Sequence, residues 1–461
     1  MPYAITQTCC TDASCVAACP VNCIHPTPDE PDYGKTDMLY VDPRTCIDCG
    51  ACADACPVDA VFPAETLVGG LAEYPRLNAD YFADKPVAPR SGPTFHQWGP
   101  PRFDRVLPAD FPRLDVAVVG TGPAGMYTVQ DLLLHTPARV TVYDRLAEPG
   151  GLIRYGVAPD HQATKRIGET FARHHVHERV RMRLGVEVGR DVSAEQLRAR
   201  HDAVVYATGA SESRTLGIPG EELTVPATTV VGWYNGHPEV PADALDVSGE
   251  RVVVVGNGNV ALDIARILTA DPAALTGVPP AVRARLGAVR EVVLLGRRGP
   301  ESAAYTRPEL MAICNRAGVE LVVDDADERV GQAVENGVAP LLAGVRRERL
   351  DWAAPVPPGR RIVLRFHSAP EKFTGSLLHT GGADIPTDLV VKAIGHRARP
   401  LPGLPFDEAT GTVPNEAGRV APGTYVVGWI KRGSTGGIGA NRQDAAETVA
   451  TLLQDVRAAT R

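Results

Sequence analysis

The sequence lacks the features of membrane-bound and nucleic-acid-binding proteins. No apolar run approaches the ~18 residues that a membrane-spanning helix needs, and the N-terminus lacks a signal-peptide pattern. Basic residues are not in excess, because 47 Lys and Arg stand against 55 Asp and Glu, for a formal net charge of −8. We therefore expect a soluble, cytoplasmic protein that has neither nucleic acid nor membrane as a partner.

Aromatic residues are also scarce. They make up 5% of the 461 residues, whereas there are 45 glycines and 40 prolines. This balance indicates many tight turns and close backbone approaches. The length corresponds to about three domains.

Cysteine is nearly absent from most of the chain, since only Cys314 lies beyond residue 56. The other nine are Cys9, Cys10, Cys15, Cys19, Cys23, Cys46, Cys49, Cys52 and Cys56. Because nothing directs the chain outward, such a cluster indicates metal or iron–sulfur ligands rather than disulfides. A motif at 15–22 recurs at 52–59, 37 residues later, which predicts two similar sites.

The second half of this repeat has the cysteine spacing of bacterial ferredoxins. Its run C-x2-C-x2-C-x3-C-P places three thiolates around one iron–sulfur cluster and directs the fourth to the other cluster. By this rule the ligands of a [4Fe–4S] cluster are Cys19, Cys46, Cys49 and Cys52. Structural zinc would need two ligand pairs, usually separated by a longer loop, and fits this run badly.

The first half of the repeat is degenerate and resembles that of seven-iron ferredoxins, whose second cluster is [3Fe–4S] with three ligands. We assign those ligands to Cys9, Cys15 and Cys56. Cys10 competes with Cys9, so that a second [4Fe–4S] cluster using both stays open. Cys23 is expected to be free.

A first dinucleotide fingerprint follows a Val-rich strand at 116–119. Gly120, Gly122 and Gly125 allow a tight turn and the close approach of a pyrophosphate to the N-terminus of the following helix. The next strand ends at Asp144, where a carboxylate can accept hydrogen bonds from ribose hydroxyls. This unit predicts bound FAD or NAD.

A second fingerprint, GNGNVA at 256–261, follows another Val-rich strand. The strand after it ends in Arg297 and Arg298 instead of an acid. Two guanidinium groups beside the adenine ribose suit a 2′-phosphate, which favours NADP over NAD. The 41 residues from Gly256 to Arg297 exceed the usual spacing of about 20, which indicates an inserted loop.

Eight prolines between residues 75 and 112, with little apolar periodicity, predict an extended and semi-rigid linker. From residue 114 onward, short strands alternate with glycine turns and helices, as in doubly wound α/β proteins.

The segment 149–161 reads PGGLIRYGVAPDH, and it closely resembles the flavin-side segment of adrenodoxin-reductase-like ferredoxin–NADP reductases. The resemblance extends over 113–461, and the whole chain is similar to the ferredoxin-fused bacterial branch of that family. It implies an α+β ferredoxin domain and two doubly wound α/β dinucleotide-binding domains, with the NADP domain inserted in the FAD domain. The expected limits are 1–66 for the ferredoxin domain, 67–112 for the linker, 113–212 and 394–461 for the FAD domain, and 213–393 for the NADP domain.

The resemblance also implies site residues. Those implied at the flavin are Ala124, Asp144, Leu152, Val188, Trp429, Gly436, Gly437 and Ile438. Those implied at NADP are Arg214, Asn257, Gly258, Asn259, Val260, Arg297, Arg298, Glu309 and Gly436. His161 matches the family's histidine near the flavin and is the candidate catalytic residue, although a purely structural histidine would fit the sequence equally well.

The function implied is that of a ferredoxin–NADP reductase. Hydride would pass from NADPH to FAD, and single electrons would then pass to the clusters of the chain's own ferredoxin domain or to an external ferredoxin. An alternative is the electron-input subunit of a larger complex, similar to the flavin and iron–sulfur subunits that feed glutamate synthases. A disulfide reductase is excluded because no CxxxxC motif follows the first fingerprint.

Overall fold

The computed structural model describes residues 2–87, 107–108 and 111–459. They form two compact units. The first unit contains the chain up to Val157, Ala163–Glu212, and the chain from His396 onward. The second contains Ala158–Gln162 and Ser213–Gly395. The chain thus leaves the first unit, builds the second and returns to the first.

The cysteine-rich N-terminal region consists of short elements. They are β1 (Tyr3–Ile5), α1 (Ser14–Ala18), β2 (Ile24–His25), β3 (Tyr40–Val41), α2 (Ala51–Asp54), β4 (Val61–Pro63) and α3 (Tyr74–Asp80). Strand β1 pairs with β4, and β2 pairs with β3, both antiparallel. Each pair therefore joins one half of the sequence repeat to the other half.

The prediction of an extended linker is wrong for residues 74–80, which form helix α3. Pro75 occupies the first turn of this helix, where the missing N–H costs nothing. The buried Asn78 side chain accepts hydrogen bonds from the N–H groups of Ile5 (3.0 Å) and Val41 (2.9 Å). It also donates to the carbonyl oxygen of Ile5 (2.9 Å). The helix therefore belongs to the N-terminal domain, while residues 88–106 and 109–110 of the predicted linker lie outside the described residues.

The rest of the first unit is an α/β layer. Before the second unit it contains β5 (Asp115–Val119), α4 (Pro123–His135), β6 (Arg139–Asp144), α5 (Gly151–Tyr155), α6 (Gln162–Lys165, whose first residue belongs to the second unit), α7 (Ile167–His175), β7 (Val180–Leu184), α8 (Ala194–Arg200), β8 (Ala203–Tyr206) and β9 (Glu212–Ser213, which ends at the boundary).

The second unit follows in the chain. It contains β10 (Val225–Pro226), α9 (Ala227–Tyr234), β11 (Arg251–Val255), α10 (Asn259–Leu268), α11 (Pro280–Arg283), β12 (Glu291–Leu295), α12 (Arg307–Cys314), β13 (Glu320–Asp324), α13 (Glu328–Glu335), β14 (Arg346–Glu348), β15 (Arg361–Arg365), β16 (Pro370–Phe373), β17 (Leu377–Thr380), β18 (Ala383–Pro386) and β19 (Leu389–Lys392). The return to the first unit adds β20 (His396–Arg397), β21 (Arg419–Ala421), β22 (Thr424–Val426), α14 (Trp429–Arg432) and α15 (Ala440–Ala459).

Each unit is built on its own twisted sheet. In the first unit the order is β21-β22-β8-β5-β6-β7, parallel except for β21. In the second the order is β10-β19-β11-β12-β15-β13-β14, parallel throughout. A three-stranded antiparallel sheet, β16-β17-β18, accompanies it. Strands β11 and β12 are buried over their full length because parallel sheets are covered on both faces. The predicted doubly wound α/β fold is therefore present in each unit.

Candidate functional site

The N-terminal domain repeats its backbone at the same 37-residue interval as its sequence. Helices α1 and α2 begin at Ser14 and Ala51. Left-handed backbone occurs in both halves at corresponding positions: Thr11 and Asp48, Ala13 and Gly50, and Asn22 and Asp59. Left-handed residues are uncommon outside glycine, so three matched pairs show that the two cysteine loops share one geometry and one register.

One cavity of this domain is lined by the four cysteines predicted for the [4Fe–4S] cluster. Cys19, Cys46, Cys49 and Cys52 surround it together with Tyr3, Val21, Cys23, Ile47 and Gly50. Four convergent thiols in one cavity are the donor set that such a cluster requires, so the residues present fit it. Cys49 is exposed and Cys52 is buried, which places this site at the protein surface.

Cys23 lies in this cavity rather than apart from it. Its Sγ is 3.4 Å from the Sγ of Cys19. The hydrogen bond from the Cys23 thiol is the largest influence on two of the predicted ligands, and it lowers the pKa of Cys19 to about 6 and that of Cys46 to about 6. No sequence pattern indicates this contact, because Cys23 falls outside every ligand spacing.

The second set of thiols comprises Cys9, Cys15 and Cys56. Burial is the main cause that raises the pKa of each, and the charges of Cys9 and Cys56 both raise that of Cys15. The three thiols therefore lie near enough to one another for their charges to interact. Cys10 is buried beside them, and the charges of Cys9 and Cys56 also raise the pKa of its thiol.

The loop that carries these thiols packs on the remainder of the first unit. The N–H of Gly439 donates to the carbonyl oxygen of Cys10 (2.8 Å). Arg442 donates from Nη1 to the carbonyl oxygen of Asp12 (2.9 Å) and to Ser14 Oγ (3.1 Å). These contacts join the cysteine loop to the start of α15.

The first fingerprint forms the turn between β5 and α4. Gly120 has a φ of 114°, and a side chain there would overlap the carbonyl oxygen of Ala207. A side chain at Gly125 would overlap the carbonyl oxygen of Gly120. Above Gly122 there is open space, since an added Cβ would meet no atom within 4 Å. A glycine backbone without side chains, just before a helix N-terminus, lets the pyrophosphate of FAD approach the backbone N–H groups.

Asp144, at the end of β6, is engaged with this turn. Its Oδ2 accepts from the N–H (2.8 Å) and Oγ1 (2.5 Å) of Thr121, and its Oδ1 accepts from the N–H of Leu146 (2.9 Å). A carboxylate has about four acceptor positions, so one remains for a ribose hydroxyl. The side chain thus also fixes the glycine turn, a role that the sequence alone does not indicate.

The residues implied at the flavin ring lie on several elements of the first unit. Trp429 begins α14, and its indole N–H donates to the carbonyl oxygen of Gly436 (3.2 Å). The ring of His396, which sequence reasoning missed, lies nearly parallel to that of Trp429, with centroids 6.4 Å apart. The other members are Ala124 in α4, the half-exposed Leu152 in α5, the buried Val188, the exposed Gly436 and Gly437, and the half-buried Ile438.

The second fingerprint forms the turn between β11 and α10 in the other unit. Gly256 has a φ of 125°, and a side chain there would overlap the carbonyl oxygen of Ala393. Asn257 and Gly258 complete the turn, while Asn259 and Val260 begin the helix. This turn has the same form as the first and fits a second pyrophosphate.

Arg297 and Arg298 follow β12 and are both exposed. Within residues 2–87, 107–108 and 111–459, neither guanidinium forms a hydrogen bond or ion pair. Arg214 is exposed as well, and its backbone N–H donates to the carbonyl oxygen of Gly395 (3.2 Å). Among the described residues these three arginines have no carboxylate partner, which suits a phosphate because guanidinium groups hold phosphate oxygens in bidentate pairs.

His161 and Glu309 come together in the second unit, with Asp263 as a third member. One ligand atom of each lies within 4.8 Å of the others. Arg266 contacts two members of this group. Its Nη2 is 2.6 Å from Asp263 Oδ1, and its Nη1 is 3.6 Å from Glu309 Oε2. Burial, followed by the charge of Asp263, raises the pKa of Glu309 to about 7. Glu309 can therefore carry a proton near neutral pH, and Asp263 and Arg266 are members that sequence reasoning missed.

Comparisons with known proteins show the family of the chain. The family described as "4Fe-4S dicluster domain" matches residues 8–60, and the family described as "Pyridine nucleotide-disulphide oxidoreductase" matches residues 114–336. A "Probable ferredoxin/ferredoxin--NADP reductase" of Mycobacterium tuberculosis is 44% identical, over 99% of this chain and 84% of its own length. The chain belongs to the ferredoxin-fused branch of the adrenodoxin-reductase-like ferredoxin–NADP reductases.

Two further relatives each match about three quarters or more of the chain. The rat mitochondrial NADPH:adrenodoxin oxidoreductase is 37% identical over 81% of this chain and 84% of its own length. The solved structure of Mycobacterium tuberculosis FprA in complex with NADPH has a TM-score of 0.69 and 38% identity, covering 76% of this chain and 86% of that chain. The predicted family is thereby confirmed. In the described part of the chain, no helix is long and apolar enough to cross a membrane.

Proposed function

We propose that this protein is an NADPH:ferredoxin oxidoreductase that carries its own iron–sulfur domain. The observation that supports this most strongly is the packing of the cysteine loop on the segment just after the implied flavin residues, through Cys10 and Gly439 (2.8 Å). A domain with two thiol sites thus lies against a dinucleotide-binding fold in one compact unit. When bound, NADPH supplies a hydride, FAD accepts it and releases the electrons singly, and iron–sulfur clusters accept single electrons.

The chain's own residues hold and orient these groups. The turn at Gly120, Gly122 and Gly125 would hold FAD, with Asp144 at its ribose. Residues of the second fingerprint would hold NADPH, with Arg297 and Arg298 at the 2′-phosphate. The small residues Gly436 and Gly437 would let backbone N–H groups reach a polar edge of the flavin ring. His161 and Glu309 can hold or move a proton at their side chains.

The two thiol sites would hold different clusters. Cys19, Cys46, Cys49 and Cys52 would hold a [4Fe–4S] cluster, and Cys9, Cys15 and Cys56 a [3Fe–4S] cluster. The backbone repeat supports Cys9 over Cys10, because Cys9 lies 37 residues before Cys46, in the register of the matched left-handed residues. The clustered thiols of the N-terminal domain also support a location of the protein in the reducing cytoplasm.

The test is turnover by the anaerobically purified holoprotein. NADPH should reduce the bound flavin, support the reduction of ferricyanide without any partner, and support the reduction of an added bacterial ferredoxin. Intact FAD that NADPH fails to reduce would contradict the proposal. If strong activity with a one-electron acceptor required an added partner subunit, the glutamate-synthase-like alternative would replace it.

A further inference from the structure

Three side chains that can bind a metal ion come from separate segments of the second unit. His161 lies in the segment Ala158–Gln162, Asp263 in α10 and Glu309 in α12. One ligand atom of each lies within 4.8 Å of the other two. Metal–ligand bonds of about 2.0–2.2 Å allow two ligand atoms on opposite sides of one ion to be about 4.4 Å apart. Small side-chain shifts would therefore bring all three atoms to a single ion.

The chemistry of this donor set selects a class of ion. An imidazole nitrogen and two carboxylate oxygens suit divalent transition metals such as zinc, iron or manganese. Calcium and magnesium prefer oxygen ligands alone, and the softer metals prefer sulfur. Three protein ligands leave the remaining coordination positions to water.

The charges around the three side chains leave room for a cation. Arg266 donates from Nε to Asp160 Oδ2 (2.8 Å) and from Nη2 to Asp160 Oδ1 (3.1 Å), and Arg316 lies 3.8 Å from the same carboxylate. Burial opposes the ionisation of Asp160, but the charge of Arg266 outweighs it and the pKa is lowered. Burial raises the pKa of Asp263 and, followed by the charge of Asp263, that of Glu309. The arginines thus neutralise Asp160 more fully than the other two acids.

Three buried polar atoms in or near this group have no hydrogen-bond partner among the described residues. They are Glu309 Oε2, Arg266 Nη1 and the Tyr234 hydroxyl. The first two are 3.6 Å apart, so the arginine leaves this carboxylate oxygen available as a ligand. Tyr234 is fully buried, and it lies near enough to Asp263 that, after burial, the charge of Asp263 raises its pKa. A metal-bound water is a suitable partner for such a hydroxyl.

We propose that His161, Asp263 and Glu309 bind one divalent transition-metal ion, which holds the segment Ala158–Gln162 to α10 and α12. About 50 residues of the first unit separate this short segment from the rest of the second unit at Ser213–Gly395. Within the segment, Asp160 is already bound to α10 through Arg266, and the ion adds a second connection at the next residue. This inference does not depend on the proposed function.

The experiment uses the full-length holoprotein, with Mn²⁺ as the probe because thiolate ligands select softer metals. Room-temperature EPR detects free Mn²⁺, so the loss of its signal gives the number of bound ions and their dissociation constant. The wild type should bind one Mn²⁺ per chain more tightly than any further Mn²⁺. At a free concentration of about ten times the dissociation constant, hydrogen exchange in residues 158–162 should slow about tenfold.

Variants of the three ligands decide the assignment. His161→Gln, Asp263→Asn and Glu309→Gln should each weaken Mn²⁺ binding about 10- to 100-fold or more, because even the loss of a contact to a ligand has an effect of that size. Mn²⁺ at the concentration that saturates the wild type should not slow exchange in these variants. The control is Glu328→Gln, which removes an exposed carboxylate of the same unit and should behave as the wild type.

The proposal fails if the wild type has no such tight site, or if His161→Gln binds Mn²⁺ as the wild type does. Equal weakening in Glu328→Gln would also overturn it, because surface charge would then account for the binding. Binding that leaves exchange in residues 158–162 unchanged would contradict the role of the ion in holding the segment. Asp263 contacts the buried Arg266, so if Asp263→Asn does not fold, the other two ligand variants decide.

Discussion

The backbone N–H of Gly439 donates to the carbonyl oxygen of Cys10 across 2.8 Å, and there is no room for a side chain at Gly439. A Cβ there would overlap backbone atoms of Cys10, Thr11 and Asp12. Cys10 lies in the iron–sulfur loop, and Gly439 directly follows Ile438 of the implied flavin site. A backbone hydrogen bond thus joins the loop of the predicted cluster ligands to the segment that follows the implied flavin residues.

Gly439→Ala should loosen this contact. Because the overlapping atoms belong to the backbone, the substitution should cost about 1–3 kcal/mol, and hydrogen exchange in residues 9–15 and at the start of α15 should accelerate about tenfold or more. Hydrogen exchange with mass spectrometry checks this. Gly344→Ala is the control, because an added Cβ there meets no atom within 4 Å. Equal protection in the two variants would contradict the prediction.

Arg442→Gln should weaken the same contact by a smaller amount. It removes the guanidinium that donates to Asp12 and Ser14, and exchange in residues 9–15 should rise severalfold. Gln443→Glu makes the same change in charge at the next, exposed position of α15 and should leave exchange unchanged. A similar effect of both variants would show that charge, rather than the contact, is responsible.

Asn78→Ala should destabilise the N-terminal domain by about 2–4 kcal/mol, because the buried N–H groups of Ile5 and Val41 lose their acceptor. We expect faster loss of iron–sulfur absorbance in urea, with the flavin-binding fold less affected. Asp80→Asn, on the exposed part of the same helix, serves as the control. If both variants lost the clusters at the wild-type rate, α3 would not support this domain.

Arg297→Gln should reduce the affinity for NADPH about 10- to 100-fold, because a charge-assisted hydrogen bond to phosphate contributes about 1.5–3 kcal/mol. Binding of NADH, which lacks the 2′-phosphate, should change little. Dissociation constants for both nucleotides measure the effect, with the exposed Arg349→Gln as the control. Equal losses for NADPH and NADH would place Arg297 away from the 2′-phosphate.

Glu309 should make stability depend on pH. Burial raises its pKa in the folded protein from 4.5 to about 7, so the folded state binds more protons than the unfolded state between these values. The stability of the wild type relative to Glu309→Gln should therefore fall as the pH rises through this range and level off above it. Thermal unfolding of both proteins as a function of pH tests this, and parallel curves would argue against a raised pKa.

Local patterns were sufficient to predict much of the fold. The Val-rich strands, the two glycine turns and the cysteine spacings depend on residues close together in sequence, and the structure has a doubly wound sheet at each fingerprint. Helix α3 was missed because proline is common in both linkers and first helical turns, and only the buried contacts of Asn78 distinguish the two.

The residues of the candidate site also fall into those that local sequence patterns predict and those that they do not. The fingerprint glycines and the arginine pair could be read from the sequence because each set serves one local turn. Cys23, Asp263, Arg266 and His396 could not, because each of them also acts on a residue distant in the chain. These distant residues are Cys46 for Cys23, Glu309 for Asp263 and Arg266, and Trp429 for His396.

The sequence by itself determined the family, the two dinucleotide folds and the presence of two cysteine sites, because spacing along the chain specifies turns and ligand loops. Only the tertiary structure decided which residues surround each thiol site and that the first cysteine loop packs on Gly439. The residues of that contact are more than 400 positions apart. No local pattern encodes the packing of such distant backbone segments, which depends on the shape of both surfaces.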